Sequence, residues 1–352
     1  MTVLAVATLP QHLMNVAQAV LAGHVSEDVD LLVVDPGDEG GASSSRVLTG
    51  TISYLARILP GATFWQKQLW RPGAGLQNAL DVRFLGRGRR DLVIGLSVTG
   101  LWARSSIRRN GGRTVLVDDG ASSLSLPFGQ VLDDGSWLTR RWGYRRALQF
   151  IAGAHQDPKV RTEVYSAFSV PDGPFPVISH DYAALVDAVR EQPPLGNALN
   201  SDARIWIDSN YTPLLGSRAH RELVAAAVRS FSTNVYVPHR RTSEKFARQI
   251  AIEYGMQLVR PEFPIELLIG QWTATGARIF TPPTSLAATA GPFRVAPGTL
   301  HLVQIRQWLE SWQGSGLCGD GGGLEEVFFT SDLAGESARM SGSWKMVDLS
   351  PE

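Results

Sequence analysis

Val3–Val34 reads VLAVATLPQHLMNVAQAVLAGHVSEDVDLLVV, and this stretch decides the fold. Val3–Ala7 is a continuous apolar run of strand length, broken by Thr8–Pro10. Gln11–Ala22 then places Leu13, Val16, Ala17, Val20 and Leu21 at helical spacing, which predicts an amphipathic helix. Leu31–Val34 is a second buried-type strand, closed by the turn residues Asp35-Pro36-Gly37. Strand, helix, strand in this order predicts a parallel sheet with right-handed crossovers.

The same alternation continues outward. A helix is expected over Thr49–Leu59, and Asp91–Ser97 (DLVIGLS) reads as a buried strand whose Gly95 leaves room for a close approach. Thr114–Gly120 (TVLVDDG) delivers Asp118, Asp119 and Gly120 to the end of an apolar strand, where they form either a plain turn or a working acidic pair. Val164–Val170 is a further strand, and Pro171–Pro176 is a strong turn cluster. A second series starts at Arg204–Ile207 (RIWI). It runs through a helix at Arg218–Phe231, the strand of Asn234–Arg241, a helix capped by Ser243 and strands at Gln257–Val259 and Ala277–Phe280. Leu302–Trp312 reads as a helix, and the chain turns Gly/Ser-rich from Gly314. The expected organisation is a first Rossmann-like domain over 1–175, a linker region over 176–202, a second Rossmann-like domain over 203–313 and a loop and tail over 314–352. Two such α/β domains facing each other across a cleft describe a GT-B-like architecture.

Composition narrows the function. The 352 residues hold 33 Lys+Arg against 33 Asp+Glu, so no global field draws the chain to nucleic acid, and any anion site is local. One cysteine, Cys318, excludes an internal disulfide and a cysteine-based zinc site. His155, His180, His220 and His301 show no metal-ligand spacing, and His12 and His24 read as helix-surface or satisfied histidines, so no metal is expected. There is no apolar run of about 18 residues, and the first residues read as a strand rather than a signal peptide, so a soluble cytoplasmic protein is expected. Arg87, Arg89 and Arg90, with Arg140, Arg141, Arg145 and Arg146, read as solvated faces. Their functional alternatives are steering an anionic acceptor or peripheral contact with a membrane.

The ligand-type residues gather in the second half. Asn234–Arg241 (NVYVPHRR) is a short β-prone run ending at Pro238, with His239, Arg240 and Arg241 at the strand's C-terminal edge. Such an edge is where open α/β sheets bind ligands, and three possible cations there suit a phosphate, although a merely basic surface loop reads the same way. Glu266, after Phe263-Pro264, falls on a short helix where a carboxylate can accept from both hydroxyls of a ribose. Thr284 and Ser285 offer hydroxyls and free backbone N–H groups at a helix start. Phosphate and ribose together describe a nucleotide.

The order Asp118-Asp119-Gly120, strand then Pro238-His239, Pro264-Ile265-Glu266, and Thr284-Ser285 resembles the bacterial sialyltransferases of the GT-B type, notably the lipooligosaccharide sialyltransferase and capsule polysialyltransferase families. ATLPQHLMNVAQAV resembles their opening strand and helix, and VYSAFSV the strand near the end of their first domain. The resemblance implies an inverting, metal-independent transfer from a CMP-activated sugar, sialic acid or a related nonulosonic acid, to a cell-surface glycan, with no cofactor beyond the donor. It makes Asp118 the general base, with Asp119 orienting or sharing that role. His239 becomes the histidine that contacts the donor phosphate and protonates it as CMP leaves. Glu266 becomes the ribose ligand, and Thr284 with Ser285 the phosphate-holding pair. Gly120, Pro238, Pro264, Arg240 and Arg241 complete the expected site. Arg240 stands where that family has a proline, and Thr284 where it has a serine, which leaves the donor sugar open. The alternatives are a GT-B enzyme with another donor, of the CMP-Kdo or UDP-sugar kind, and a non-catalytic nucleotide- or glycan-binding paralogue.

Overall fold

The computed structural model describes residues 3–35, 42–68, 91–95, 113–117, 161–167, 176–196, 199–209, 211–284, 286–314 and 343–349. The chain divides into two compact units, Met1–Gln192 and Pro193–Glu352.

In the first unit, β1 (Val3–Ala7), β2 (Val29–Asp35), β3 (Ala62–Gln68), β4 (Asp91–Gly95), β5 (Arg113–Val117), β6 (Arg161–Ser166) and β7 (Val177–Ser179) form one sheet, in the order β3-β2-β1-β4-β5-β6-β7. Every pairing is parallel, with Val3 opposite Val29 on one side and Asp91 on the other. All five residues of β1 are buried, as a central parallel strand covered on both faces requires. The described helices are α1 (Pro10–Leu21), α2 (Ala42–Ile58) and α3 (Ala183–Arg190). Pro10 starts α1, where its missing N–H costs nothing.

On α1, Gln11, Asn15 and Gln18 follow helical spacing but face inward. Gln11 Nε2 donates to the Tyr182 hydroxyl at 2.5 Å, that hydroxyl donates to Asn15 Oδ1, and Gln18 Oε1 accepts the Leu185 N–H at 2.8 Å. These bonds hold Tyr182 in the left-handed region (φ 59°) at the start of α3.

In the second unit, β8 (Arg204–Ile207), β9 (Val235–Val237), β10 (Gln257–Leu258), β11 (Arg278–Thr281), β12 (Leu300–Gln304) and β13 (Lys345–Asp348) form a parallel sheet ordered β10-β9-β8-β11-β12-β13. Its helices are α4 (Thr212–Phe231), α5 (Glu244–Glu253), α6 (Ile265–Ala274), α7 (Leu286–Thr289) and α8 (Arg306–Gly314). α4 is kinked at Gly216 (φ 79°). Ser243 caps α5, its hydroxyl accepting from the Phe246 N–H at 3.3 Å. Trp206 and Tyr236, both fully buried, pack with Leu223, Ile250, Phe280 and Val303 in the core.

Three expectations are corrected. The region 176–202 is not simply a linker: β7 pairs with β6, and the helix expected within it from the spacing of Leu185, Val186 and Val189 is α3, which lies against α1 through the Tyr182 and Gln18 bonds. Leu302–Trp312 is not one helix: β12 occupies its start and α8 begins only at Arg306. β12 lies inside a parallel sheet and is buried on both faces, so its run shows no strand alternation and blends into the helical spacing of α8. The stretch 314–352 is not wholly a tail, because 345–348 pair with 301–304 as β13.

Candidate functional site

Both sheets reverse direction in the same way, between β1 and β4 in the first unit and between β8 and β11 in the second. Two crossovers then leave to opposite sides and open a crevice beyond the strands' carboxyl ends, where Rossmann-like sheets bind ligands. In the second unit that edge carries Asp208 and Ser209 after β8, Pro238–Arg241 after β9 and Pro282–Thr284 after β11. The first turn of α6 adds Glu266.

β9 ends at Pro238, as its sequence requires, and the chain turns at once. The Thr242 N–H donates to the His239 carbonyl at 2.8 Å, and the Arg241 N–H donates to His239 Nδ1 at 3.2 Å. Nδ1 is therefore an acceptor, and the ring hydrogen sits on Nε2. Burial pushes the imidazole down to about 3, with Arg240 and Arg241 acting in the same direction and Asp208 against them. At neutral pH His239 is thus an uncharged Nε2–H donor.

Glu266 is buried and accepts the Thr289 hydroxyl at 2.8 Å. Burial pushes its carboxyl up, while its own backbone N–H, Thr289 and the Arg240 charge pull it back. Arg240 thus acts on both His239 and Glu266, and these three form one electrostatic neighbourhood. Pro238 and Pro264 are buried, Pro264 as the residue just before α6, and Arg241 is exposed. Thr284 is half-buried, and its hydroxyl accepts the Leu286 N–H at 3.0 Å. α7 has only four residues, so Thr284 serves first as a cap for a single turn. The Tyr211 hydroxyl donates to the Pro283 carbonyl at 2.7 Å and ties the start of α4 to this loop. Ser285 lies outside the described residues, as do Asp118, Asp119 and Gly120, which follow directly on β5.

Sequence reasoning did not find the polar group beneath His239. Asp208, with a fully buried side chain, accepts the Tyr236 hydroxyl at 2.7 Å and the Ser209 N–H at 2.9 Å, and His220 Nε2 lies 2.7 Å from Oδ2. Burial and the Asp208 charge push the Tyr236 phenol far up, so it stays a donor. The available signal was the sequence RIWID, a carboxylate directly after a buried strand; its partners come from 12 and 28 residues away. In the first unit, His12 is fully buried beside Gly95, and its Nδ1 accepts the Thr8 N–H at 3.2 Å.

Among the described residues, no cluster of three or more His, Cys, Asp or Glu side chains could hold a metal ion, and no helix is long and apolar enough to cross a membrane. No family model and no curated protein matches the sequence. The structure is similar to that of a putative UDP-N-acetylglucosamine 2-epimerase from Listeria monocytogenes, with a TM-score of 0.55 at 10% identity over 98% of this chain and 91% of that one. It is also similar to S. aureus MnaA in a co-structure with UDP, with a TM-score of 0.52 at 9% identity over 97% of this chain and 91% of that one. Such identities carry the fold alone. The chain has the GT-B type of fold, two Rossmann-like α/β units each built on a parallel sheet.

Proposed function

We propose that the chain is a nucleotide-sugar-dependent enzyme of the GT-B class, a glycosyltransferase, whose second unit binds the donor's nucleotide. The observation that carries this reading is the grouping of His239, Arg240 and Glu266 at the carboxyl edge of a Rossmann-like sheet. Arg240 supplies charge to the phosphate, His239 donates from Nε2, and Glu266 accepts from the ribose hydroxyls. The UDP-sugar alternative is preferred to CMP-sialic acid. The similar structures are a putative UDP-N-acetylglucosamine 2-epimerase and a protein held in a co-structure with UDP, whereas the sialyl reading rests on motif order alone.

Transfer with inversion needs a base to take the acceptor hydroxyl's proton as the oxygen attacks the anomeric carbon. The bond from that carbon to the donor phosphate breaks, and the nucleotide leaves as an oxyanion. Asp118 remains the proposed base, with Asp119 orienting it. His239, uncharged in the free protein, steadies the leaving phosphate by hydrogen bonding rather than by giving up a proton. Losing one such preorganised donor costs roughly 3–4 kcal/mol of barrier. The reaction draws on no metal and no cofactor other than the donor substrate.

The test is thermal shift and calorimetric titration with UDP, UMP, CMP and GDP, followed by assay of nucleotide release from the matching sugar donor with and without acceptors. A uridine nucleotide should stabilise the protein, and His239→Ala and Arg240→Ala should each lose most of that effect. A preference for CMP would move the donor to a CMP-activated sugar. Binding of no nucleotide, or unchanged binding in both variants, would overturn the reading.

A further inference from the structure

We propose that Asp208 is the positioning residue of the anion-binding turn Pro238–Arg241, clamping the end of β9 through Tyr236 so that His239 and Arg240 are held ready for a phosphate. This deepens the donor-site reading and rests on it for the identity of the ligand.

Asp208 sits where three elements meet. Its backbone N–H donates to the Val237 carbonyl at 2.9 Å, immediately before Pro238. Its Oδ2 takes the Tyr236 hydroxyl from β9 and lies against His220 Nε2 from α4, and its Oδ1 takes the Ser209 N–H. Both oxygens thus accept from inside the protein, and the side chain is fully buried. The carboxylate therefore does not touch a ligand; it acts through the chain it holds. A carboxylate buried this way is kept only with such full compensation.

The substitution Asp208→Asn separates position from charge. An asparagine has one acceptor oxygen where Asp208 has two, so its NH2 must face either the Ser209 N–H or the Tyr236 hydroxyl and His220 Nε2, and the bonds accepted on that side are lost. The same change removes a negative charge from beneath an anion site, which by Coulomb's law alone would tighten anion binding. The two roles therefore predict opposite signs. Tyr236→Phe removes one bond to the carboxylate and leaves the charge in place.

The groups that face His239 are Arg240 and Arg241 on its own turn, Asp208 at the end of β8 and His220 on α4. Burial, Arg240 and Arg241 hold His239 uncharged and the Asp208 charge works against them, so the help a protonated ring gives a bound phosphate as pH falls moves to lower pH when that charge is removed.

The experiment uses the full chain, with UDP as the probe, in wild type, Asp208→Asn and Tyr236→Phe. In ligand-free protein, both variants should speed hydrogen exchange at the Arg241 and Thr242 amides, which donate to His239, by about 10-fold, with the Leu302 amide of β12 unchanged. UDP affinity should fall by about 10-fold in each variant, as expected for a lost bond to a charged group. The acid limb of the UDP pH profile should move to lower pH in Asp208→Asn and stay in place in Tyr236→Phe. Unchanged local exchange, or Asp208→Asn binding UDP as tightly as wild type or more so, overturns the proposal, as does a loss of thermal stability with affinity and pH profile intact. Should wild type bind no UDP, the uridine assignment fails, and the exchange measurement alone decides whether Asp208 positions the turn.

Discussion

Replacing Gly95 with alanine tests the packing at the first unit's switch point. A Cβ built on Gly95 would lie 2.2 Å from His12 Nδ1, 2.3 Å from Cε1 and 2.5 Å from Cγ. Ordinary contact between such atoms lies near ~3.5 Å, so the ring must retreat by over ~1 Å. His12 is fully buried, and its Nδ1 accepts the Thr8 N–H, so retreat breaks that bond and compresses the core. Overpacking costs about 1–3 kcal/mol and the bond about 1 kcal/mol, for a total of roughly 2–4 kcal/mol. For a unit the size of Met1–Gln192 this lowers the melting temperature by roughly 5–15 °C. Scanning calorimetry on Gly95→Ala, His12→Ala and the double variant measures it. His12→Ala removes the obstacle, so the double variant should be more stable than the sum of the single costs implies, by about 2 kcal/mol. A Gly95→Ala protein within about 0.5 kcal/mol of wild type, or strictly additive costs, would refute the argument.

Acid should weaken the second unit through His301. Its two ring nitrogens are buried without partners among the described residues, and burial pushes it down from 6.5 to about 4, with Lys345 and Arg278 acting the same way. The folded value lies below the unfolded one, so this stability is complete above pH 6.5 and is lost as pH falls toward 4; it amounts to about 3 kcal/mol. His301→Phe keeps the stack on Phe280, at 4.6 Å between centroids, and should lose less stability in urea between pH 8 and pH 4.5. Equal losses in both proteins would contradict this. Ser243→Ala removes the cap of α5 and should cost about 1 kcal/mol, read in the same urea transition, with no effect on nucleotide affinity.

Local patterns explain what the sequence revealed of the fold. Continuous apolar runs marked β1, β2 and β4, and Pro238 and Ser243 punctuated the chain where the structure turns it. β7 and β13 escaped because each is a short strand at the end of a sheet, half-exposed, and defined by a neighbour far along the chain. At the site, His239, Arg240 and Glu266 were visible as ligand-type residues beside short strands and helices. Asp208 looked like a loop residue, and His220 like one histidine among seven. Their pairing is a tertiary fact, and no spacing rule joins residues 208, 220 and 236.

β13 also bears on how the protein is made. The second sheet pairs residue 302 with residue 346, so a ribosome that has released β12 has not yet supplied its neighbour. Through that interval the apolar strand Leu300–Gln304 has one flank open to other nascent chains. Protection of that flank comes only with β13, so slow translation between the two strands lengthens the exposure.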